Sequence, residues 1–345
     1  MCSSVAYEKL FGPYIYIVIR RSKKKMKRNY SMPSPRCIAL SVPNKSVIVS
    51  LHPEFVTGFS DAEACFSIPI IKSNKCKIGY QVQAKFQICL HVKDLHLLYQ
   101  IQSYFGVGNI IKGKAFAIYC VANLKDLVDV IIPHFEKNPL ITQKWSDFEL
   151  FRQALKLVQN KEHLTIEGLQ QIISIKASMN NGLSDKLKKA FPDVKPVQRP
   201  QVIDQEIKDP HWLSGFVDGE GCYYVSLFKS PTYKLRLGIQ LRFIISQQIR
   251  DEQLIQSLVN YLDCGKVSKG SKRDVVDFVV TRLPDLSDKI IPFFDLYPLQ
   301  SSKFKDLADF KKVAELIKNK AHLTKEGLYE IKQIKSGMNT GREGN

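Results

Sequence analysis

Two glutamates recur at the same place in two near-identical stretches of the chain: Glu63 closes residues 53–63, PEFVTGFSDAE, and Glu220 closes residues 210–220, PHWLSGFVDGE. Each stretch opens on proline, which suits the first turn of a helix, so each acid falls where a helix ends. A carboxylate there faces the negative end of the macrodipole, at a cost of about 0.3–1 kcal/mol. If the two helices lie parallel and side by side, the carboxylates also repel one another. A positive partner relieves both effects, and Mg²⁺, which takes one or two carboxylates together with water and phosphate oxygens, is the natural candidate. A single glutamate at a helix end reads as a solvated acid; the same acid at the same helix end in two copies argues against that reading. Asp61 and Asp218 project from another side of the helix and are read as structural.

The elements that must hold these acids can be traced outward from them. Small residues stand four apart, Gly58 with Ala62 and Gly215 with Gly219, leaving a groove along one face of each helix so that two backbones can approach closely. The rest of the chain repeats as well. Glu63 and Glu220 are 157 residues apart, Lys144 and Lys303 are 159 apart, and Asn160-Lys-Glu-His-Leu-Thr returns as Asn319-Lys-Ala-His-Leu-Thr. One long period occurring twice is a duplicated domain. The boundaries read as a first domain over 50–182, a linker over 183–209 carrying Pro192, Pro196 and Pro200, and a second domain over 210–345. Within each copy the order is helix, two strands, helix, two strands, helices. The expected fold is therefore α+β, two pseudo-symmetric αββαββα domains, each with a four-stranded antiparallel sheet shaped as a saddle.

The strands carry a second kind of chemistry. Tyr80, Val82, Ala84, Phe86 and Ile88 alternate with Gln81, Gln83, Lys85 and Gln87, and Leu235, Leu237, Ile239, Leu241 and Phe243 alternate with Arg236, Gly238, Gln240 and Arg242. Such alternation commonly means one core face and one solvated face. Here the polar face is made of the side chains that pair with base edges in a major groove, and Ser67 and Ser226 join it from the preceding strands. Double-stranded DNA is the partner this pattern suggests. A nine-residue strand spans roughly 30 Å, close to nine base pairs, and the unlike faces predict an asymmetric site. Pro69 predicts an irregular first strand.

Composition agrees with a polyanionic partner: the net charge is +18 and the pI about 9.4. No apolar run reaches the ~18 residues of a membrane span. Eight cysteines without a C-x-x-C pair argue against zinc ribbons and a disulfide framework, and read as reduced packing residues. Residues 1–49 hold ten Lys or Arg and a single acid, Glu8. They read as a mitochondrial transit peptide, a read-through remnant of a host frame or a basic tail, outside the core.

Residues 56–64 and 213–221 resemble the LAGLIDADG motif of homing endonucleases, and the chain from about residue 50 is similar to the single-chain, two-motif branch encoded in mitochondrial group I introns. That resemblance implies a monomeric, mitochondrial, site-specific double-strand DNA endonuclease. By the same resemblance Glu63 and Glu220 bind divalent metal at the scissile phosphates, with the carbonyls of Ala62 and Gly219 as further ligands. Lys144 and Lys303 begin long helices, where the dipole disfavours a cation; the resemblance gives them a role in offsetting charge or shaping the water network, against plain phosphate contact. Gln247 matches a glutamine that positions solvent, and its counterpart in the first copy is Leu90. Two other readings stay open: a maturase that binds the intron RNA, and a DNA-binding regulator without catalysis. Ala64 stands where the motif has glycine; a left-handed helix exit there would cost on the order of 1 kcal/mol.

Overall fold

The structure is a computed structural model and describes residues 50–202, 204–231, 235–269 and 274–344. The expectations for 1–49 lie outside the described residues. The first half runs α1 (Pro53–Glu63), β1 (Ala64–Ser67), β2 (Ile70–Lys72), β3 (Tyr80–Val82), β4 (Lys85–His91), α2 (Leu95–Phe105), β5 (Asn109–Lys112) and β6 (Phe116–Val121). A helix over 124–137 follows, made of α3 (Leu124–Asp126), a π turn (Leu127–Ile131) and α4 (Ile132–Lys137). Then come α5 (Lys144–Gln159), α6 (Ile166–Ala177) and, between the halves, the short α7 (Asp185–Ala190). The second half repeats the order: α8 (Pro210–Glu220), β7 (Gly221–Lys229), β8 (Leu237–Gln248), α9 (Glu252–Tyr261), β9 (Lys266–Lys269), β10 (Val275–Val280), α10 (Leu283–Asp285) leading through a π turn to α11 (Ile291–Leu296), α12 (Lys303–Lys318) and α13 (Lys325–Ser336). The two main sheets have the orders β1-β4-β6-β5 and β7-β8-β10-β9, with every pairing antiparallel. The predicted duplicated α+β fold is the fold observed.

Each sheet buries the face that the alternation marked as apolar. In the first half Phe66 and Phe86 pair across β1 and β4, and Phe66 meets Phe135, Phe148 and Phe151 from the helices behind. In the second half Tyr223 and Phe243 pair across β7 and β8 and meet Phe294 and Phe310. These edge-on and tilted aromatic pairs add about 0.5–1.5 kcal/mol each beyond the area they bury. Thr165 and Thr324 cap α6 and α13, each hydroxyl accepting from the amide three residues on, Gly168 and Gly327 (3.0 Å in both).

Three local expectations are corrected. The strand expected over 80–88 is broken at Gln83 and Ala84: Gln83 N–H donates to Pro69 O (2.9 Å), and β3 pairs with β2 in a separate two-stranded ribbon. Pro69 has no amide to offer a ladder, so β1 cannot continue into β2 and its partner strand bends with it. Arg236 is not in β8; it precedes the strand with φ +54°, a left-handed turn position. The helix exits are not left-handed, since Ala64 (φ −79°, ψ 156°) and Gly221 (φ −73°, ψ 151°) are both extended. The stretch 183–209, between α6 and α8, is strapped down. Arg199 donates to both carboxylate oxygens of Asp147 (2.7 and 3.0 Å) and to the carbonyls of Ser178 and Gln143, and Ser146 Oγ donates to Pro200 O (2.7 Å).

Candidate functional site

The groove-bearing helices α1 and α8 pack against each other in parallel and in register. A Cβ placed on Gly58 would lie 1.9 Å from Trp212 O, and one on Gly215 would lie 2.1 Å from Phe55 O, so both positions require glycine. One turn further on, a Cβ on Gly219 would lie 2.3 Å from Ala62 Cβ and 3.2 Å from Glu63 Cγ. The two helices therefore end together, and Glu63 and Glu220 leave them at one place. Asp61 and Asp218 are structural, as predicted. Asp61 accepts from Ile141 N, Thr142 N, Thr142 Oγ1 and, across the interface, Trp212 Nε1 (2.9 Å). Asp218 accepts from Gln300 N, Ser301 N and Ser301 Oγ.

Lys144 and Lys303 reach the same place from α5 and α12. Lys144 Nζ donates to the carbonyls of Ser60 (2.9 Å) and Ala62 (3.1 Å), and Lys303 Nζ to those of Val217 (3.0 Å) and Gly219 (2.7 Å). Each ammonium thus sits on the negative end of a motif helix, and the dipole that disfavours lysine at its own helix start is answered by the one it caps. Burial pushes the Glu63 carboxyl above its ordinary range, with the Lys144 and Lys303 charges pulling it back down. Burial also pushes Lys144 down, opposed by Asp61, Glu63 and Glu220. Acids and lysines of both halves form one electrostatic cluster. Gln247 joins it through Nε2, 3.3 Å from Glu220 Oε1, while Leu90 at the matching register position is buried.

The donor set suits a hard divalent cation. The two carboxylates leave adjacent helix ends, with the Ala62 and Gly219 carbonyls beside them, and a carbonyl with two lone pairs can keep its lysine and still face an ion. A second group of potential ligands, His52, Asp209 and His211, has ligand atoms within 4.8 Å of one another at the opposite end of the helix pair. Its imidazoles stack at 3.8 Å and 19°, which aims their in-plane lone pairs side by side, and Asp209 is engaged by His211 Nδ1 and backbone N (2.9 and 2.7 Å). Asp209 caps α8 through its hydrogen bond from His211 N.

The residues expected to face DNA divide into those on the sheets and those off them. Ser67 pairs with Lys85, and Gln87 with Cys65, on the outward face of the first sheet; Ser226 pairs with Gln240, and Arg242 with Tyr224, on that of the second. Gln81 is exposed on the β2–β3 ribbon, Gln83 lies in the break and Arg236 in the turn before β8. The outward face of the second sheet also carries an acid, Asp277, which accepts from Ser246 Oγ (2.6 Å). Sequence reasoning passed over Tyr224, Lys176 and Lys335. Lys335 Nζ lies 5.5 Å from the centre of the exposed Tyr224 ring, and the charge of Lys176 reaches Cys65 at the start of β1. Their signal in the sequence is the repeat equivalence of Ile175-Lys and Ile334-Lys.

Parallel helices that bring two acids together beneath two half-polar sheets define a two-domain nuclease scaffold. The profile of the LAGLIDADG endonuclease family matches residues 56–155 and 213–314. A probable intron-encoded endonuclease 2 of Neurospora crassa is 38% identical over 344 residues, covering 95% of this chain and 74% of that protein. An uncharacterised 50.9 kDa protein in ND4 intron 1 of Podospora anserina is 51% identical over 119 residues, 34% of this chain and 26% of that one. The crystal structure of the I-SmaMI homing endonuclease bound to cleaved DNA superposes with a TM-score of 0.82 at 42% identity, covering 85% of this chain and 98% of that one. I-SmaMI also matches as a complex with uncleaved DNA and calcium, and as variants with two lysines replaced by alanine, whose separation equals that of Lys144 and Lys303 here. The chain belongs to the LAGLIDADG endonuclease family.

Proposed function

We propose that the protein is a site-specific DNA endonuclease that cuts both strands of a long asymmetric site, with Glu63 and Glu220 as the acids of the two half-sites. The observation that carries this reading is the meeting of both glutamates at the shared end of α1 and α8 with Lys144 and Lys303 beside them. Mg²⁺ or a similar ion held by these carboxylates would polarise a scissile phosphate and lower the pKa of attacking water. The chain's own residues do the rest. The outward faces bearing Ser67, Lys85, Gln87, Ser226, Gln240 and Arg242 fix the duplex in register, Gln81, Gln83 and Arg236 reach its flanks, and the basic surface holds its phosphates. Lys144 and Lys303 keep positive charge fixed where negative charge develops at each phosphate, so no solvent reorganisation is needed there. Gln247, with its amide on Glu220, orients solvent in one half-site. The ND4-intron relative supports a mitochondrial setting with the intron-free form of the host gene as target.

The test is a plasmid carrying the joined exons that flank the intron, incubated with the protein and Mg²⁺. Linear product is expected, with EDTA or the Glu63→Gln, Glu220→Gln pair preventing it. A duplex that is bound with specificity yet stays intact in Mg²⁺ and Mn²⁺ would overturn the assignment.

A further inference from the structure

The turns that carry the two lysines into the site are held in an unusual way. Four successive amides, those of residues 141–144, each have their own acceptor. Ile141 N and Thr142 N donate to Asp61 (3.0 and 3.3 Å), and Lys144 N donates to Thr142 Oγ1 (3.2 Å), all within the first half. The fourth, Gln143 N, donates to Asp251 Oδ1 (2.7 Å), which belongs to the second half. The second turn repeats this with the halves exchanged. Gln300 N and Ser301 N donate to Asp218 (2.7 and 2.8 Å) and Lys303 N to Ser301 Oγ (3.1 Å), while Ser302 N donates to Asp94 Oδ1 (2.5 Å) of the first half. The carbonyls of the turns are held too: Gln205 Nε2 donates to Ile141 O (3.0 Å) and to Asp251 Oδ1 (3.1 Å), and His96 Nε2 lies 2.8 Å from Gln300 O.

Asp94 and Asp251 are themselves rigidly placed. Each ends the 3₁₀ turn that follows a central strand, β4 or β8, and starts the next helix, and each is buried. A buried carboxylate accepting an amide at the first turn of a helix makes a charge-assisted hydrogen bond and also meets the positive end of that helix's dipole. From these contacts we infer that Asp94 and Asp251 are positioning residues acting in trans, each setting the active-site lysine of the opposite half. Asp94 fixes the turn that delivers Lys303 to Gly219 O, and Asp251 fixes the turn that delivers Lys144 to Ala62 O. Neither lysine is fully placed until the other domain has docked, so the two half-sites are assembled together. The inference rests on the lysines having the role proposed above, but the placement itself can be measured without cleavage.

Amine-directed labelling of the full chain followed by mass spectrometry reads the placement directly. Lys303 is expected to gain reactivity several-fold in Asp94→Ala with Lys144 unchanged, and Asp251→Ala is expected to do the reverse. Asp94→Asn, which keeps an acceptor oxygen, restores most of the protection. Ser302→Pro deletes the same hydrogen bond from the donor side at a φ of −55°, which proline adopts, and must expose Lys303 even if the alanine variant fails to fold. In a nicking assay with each strand separately labelled, Asp94→Ala should slow the strand that Lys303→Ala slows, by about tenfold, and leave the other strand near the wild-type rate. Equal exposure of both lysines, exposure of the wrong one, or no change in either variant would overturn the inference. Correct labelling together with a wild-type protein that cuts nothing would leave the placement standing and sink only the nuclease reading.

Discussion

Gln247 stands in β8 opposite Val276 with its amide 3.3 Å from Glu220 Oε1, whereas Leu90, its counterpart in β4, is a buried hydrocarbon. In the proposed function the Gln247 side chain orients solvent in one half-site only, which makes the halves kinetically unequal. Gln247→Ala is expected to slow cleavage of one strand by roughly tenfold, the value of one hydrogen bond of about 1–1.5 kcal/mol, and to accumulate a nicked intermediate; equal slowing of both strands would contradict it. A second residue-scale asymmetry lies at the helix exits. A Cβ on Gly221 would meet Val217 Cγ1 at 2.5 Å and Val217 O at 2.7 Å, while the first copy has the smaller Ser60 where Val217 stands and accepts Ala64 in the same extended backbone. Gly221→Ala should therefore destabilise by about 1–3 kcal/mol and Ala64→Gly by no more than about 1 kcal/mol, both read from urea denaturation. The acids, lysines and Gln247 could all be picked out from the sequence because they recur or match a motif. The reason for Ala64 could not, because it depends on a residue one helical turn away and on backbone angles that no spacing reveals.

At the scale of elements, the α1–α8 pair is the joint between the halves, and its closeness is set by two glycines facing backbone carbonyls. Gly58→Ala would put a methyl 1.9 Å from Trp212 O, a backbone atom that cannot turn aside, so the helices must separate along their length. The expected loss is at or above the upper end of the about 1–3 kcal/mol usual for overpacking, and Lys144 and Lys303 should lose their carbonyl partners with it. Chemical denaturation checks the first effect and amine labelling the second; a variant with unchanged midpoint would mean the helices are not locked. This joint is readable from small residues four apart, because helical periodicity is local. The break at Gln83–Ala84 and the strapping of residues 183–209 are not readable in that way. The first arises from a proline fourteen residues upstream, in the break between β1 and β2, and the second from Arg199 finding Asp147 across a domain surface. The trans contacts of Asp94 and Asp251 are hidden for the same reason, being pairings between residues 208 and 108 positions apart.

At the scale of the whole molecule, residues 50–345 form a single contact unit, so one titrating group in either half acts on the stability of both. His134 is such a group. It is buried, with Nδ1 3.2 Å from Tyr104 Oη and Nε2 3.2 Å from Thr57 Oγ1, whose own proton goes to Asn138 O (3.2 Å). With the Thr57 proton on Asn138 O, Nε2–H donates to Thr57, and in the neutral ring that burial favours Nδ1 accepts from Tyr104. Burial pushes its pKa from the ordinary 6.5 down to about 4. Above pH 6.5 the ring is neutral in both folded and unfolded chains and adds no pH dependence. As pH falls from 6.5 toward 4 the unfolded chain takes up a proton that the folded chain refuses, so stability drops by up to about 3 kcal/mol. Asp61, held up to about 6 by burial, works in the opposite direction between its ordinary 3.8 and 6, so the wild-type profile alone mixes the two. The repeat supplies the control: Phe293 occupies the equivalent place in the second half, so His134→Phe replaces the titrating ring with one this fold already packs there. The difference in unfolding free energy between wild type and His134→Phe, followed from pH 7.5 to 4, should stay flat above pH 6.5. Below that it should shift in favour of the variant by about 1.4 kcal/mol per unit. A difference that stays constant across the range would mean that His134 titrates alike in the folded and unfolded chains and that the neutral-ring assignment is wrong.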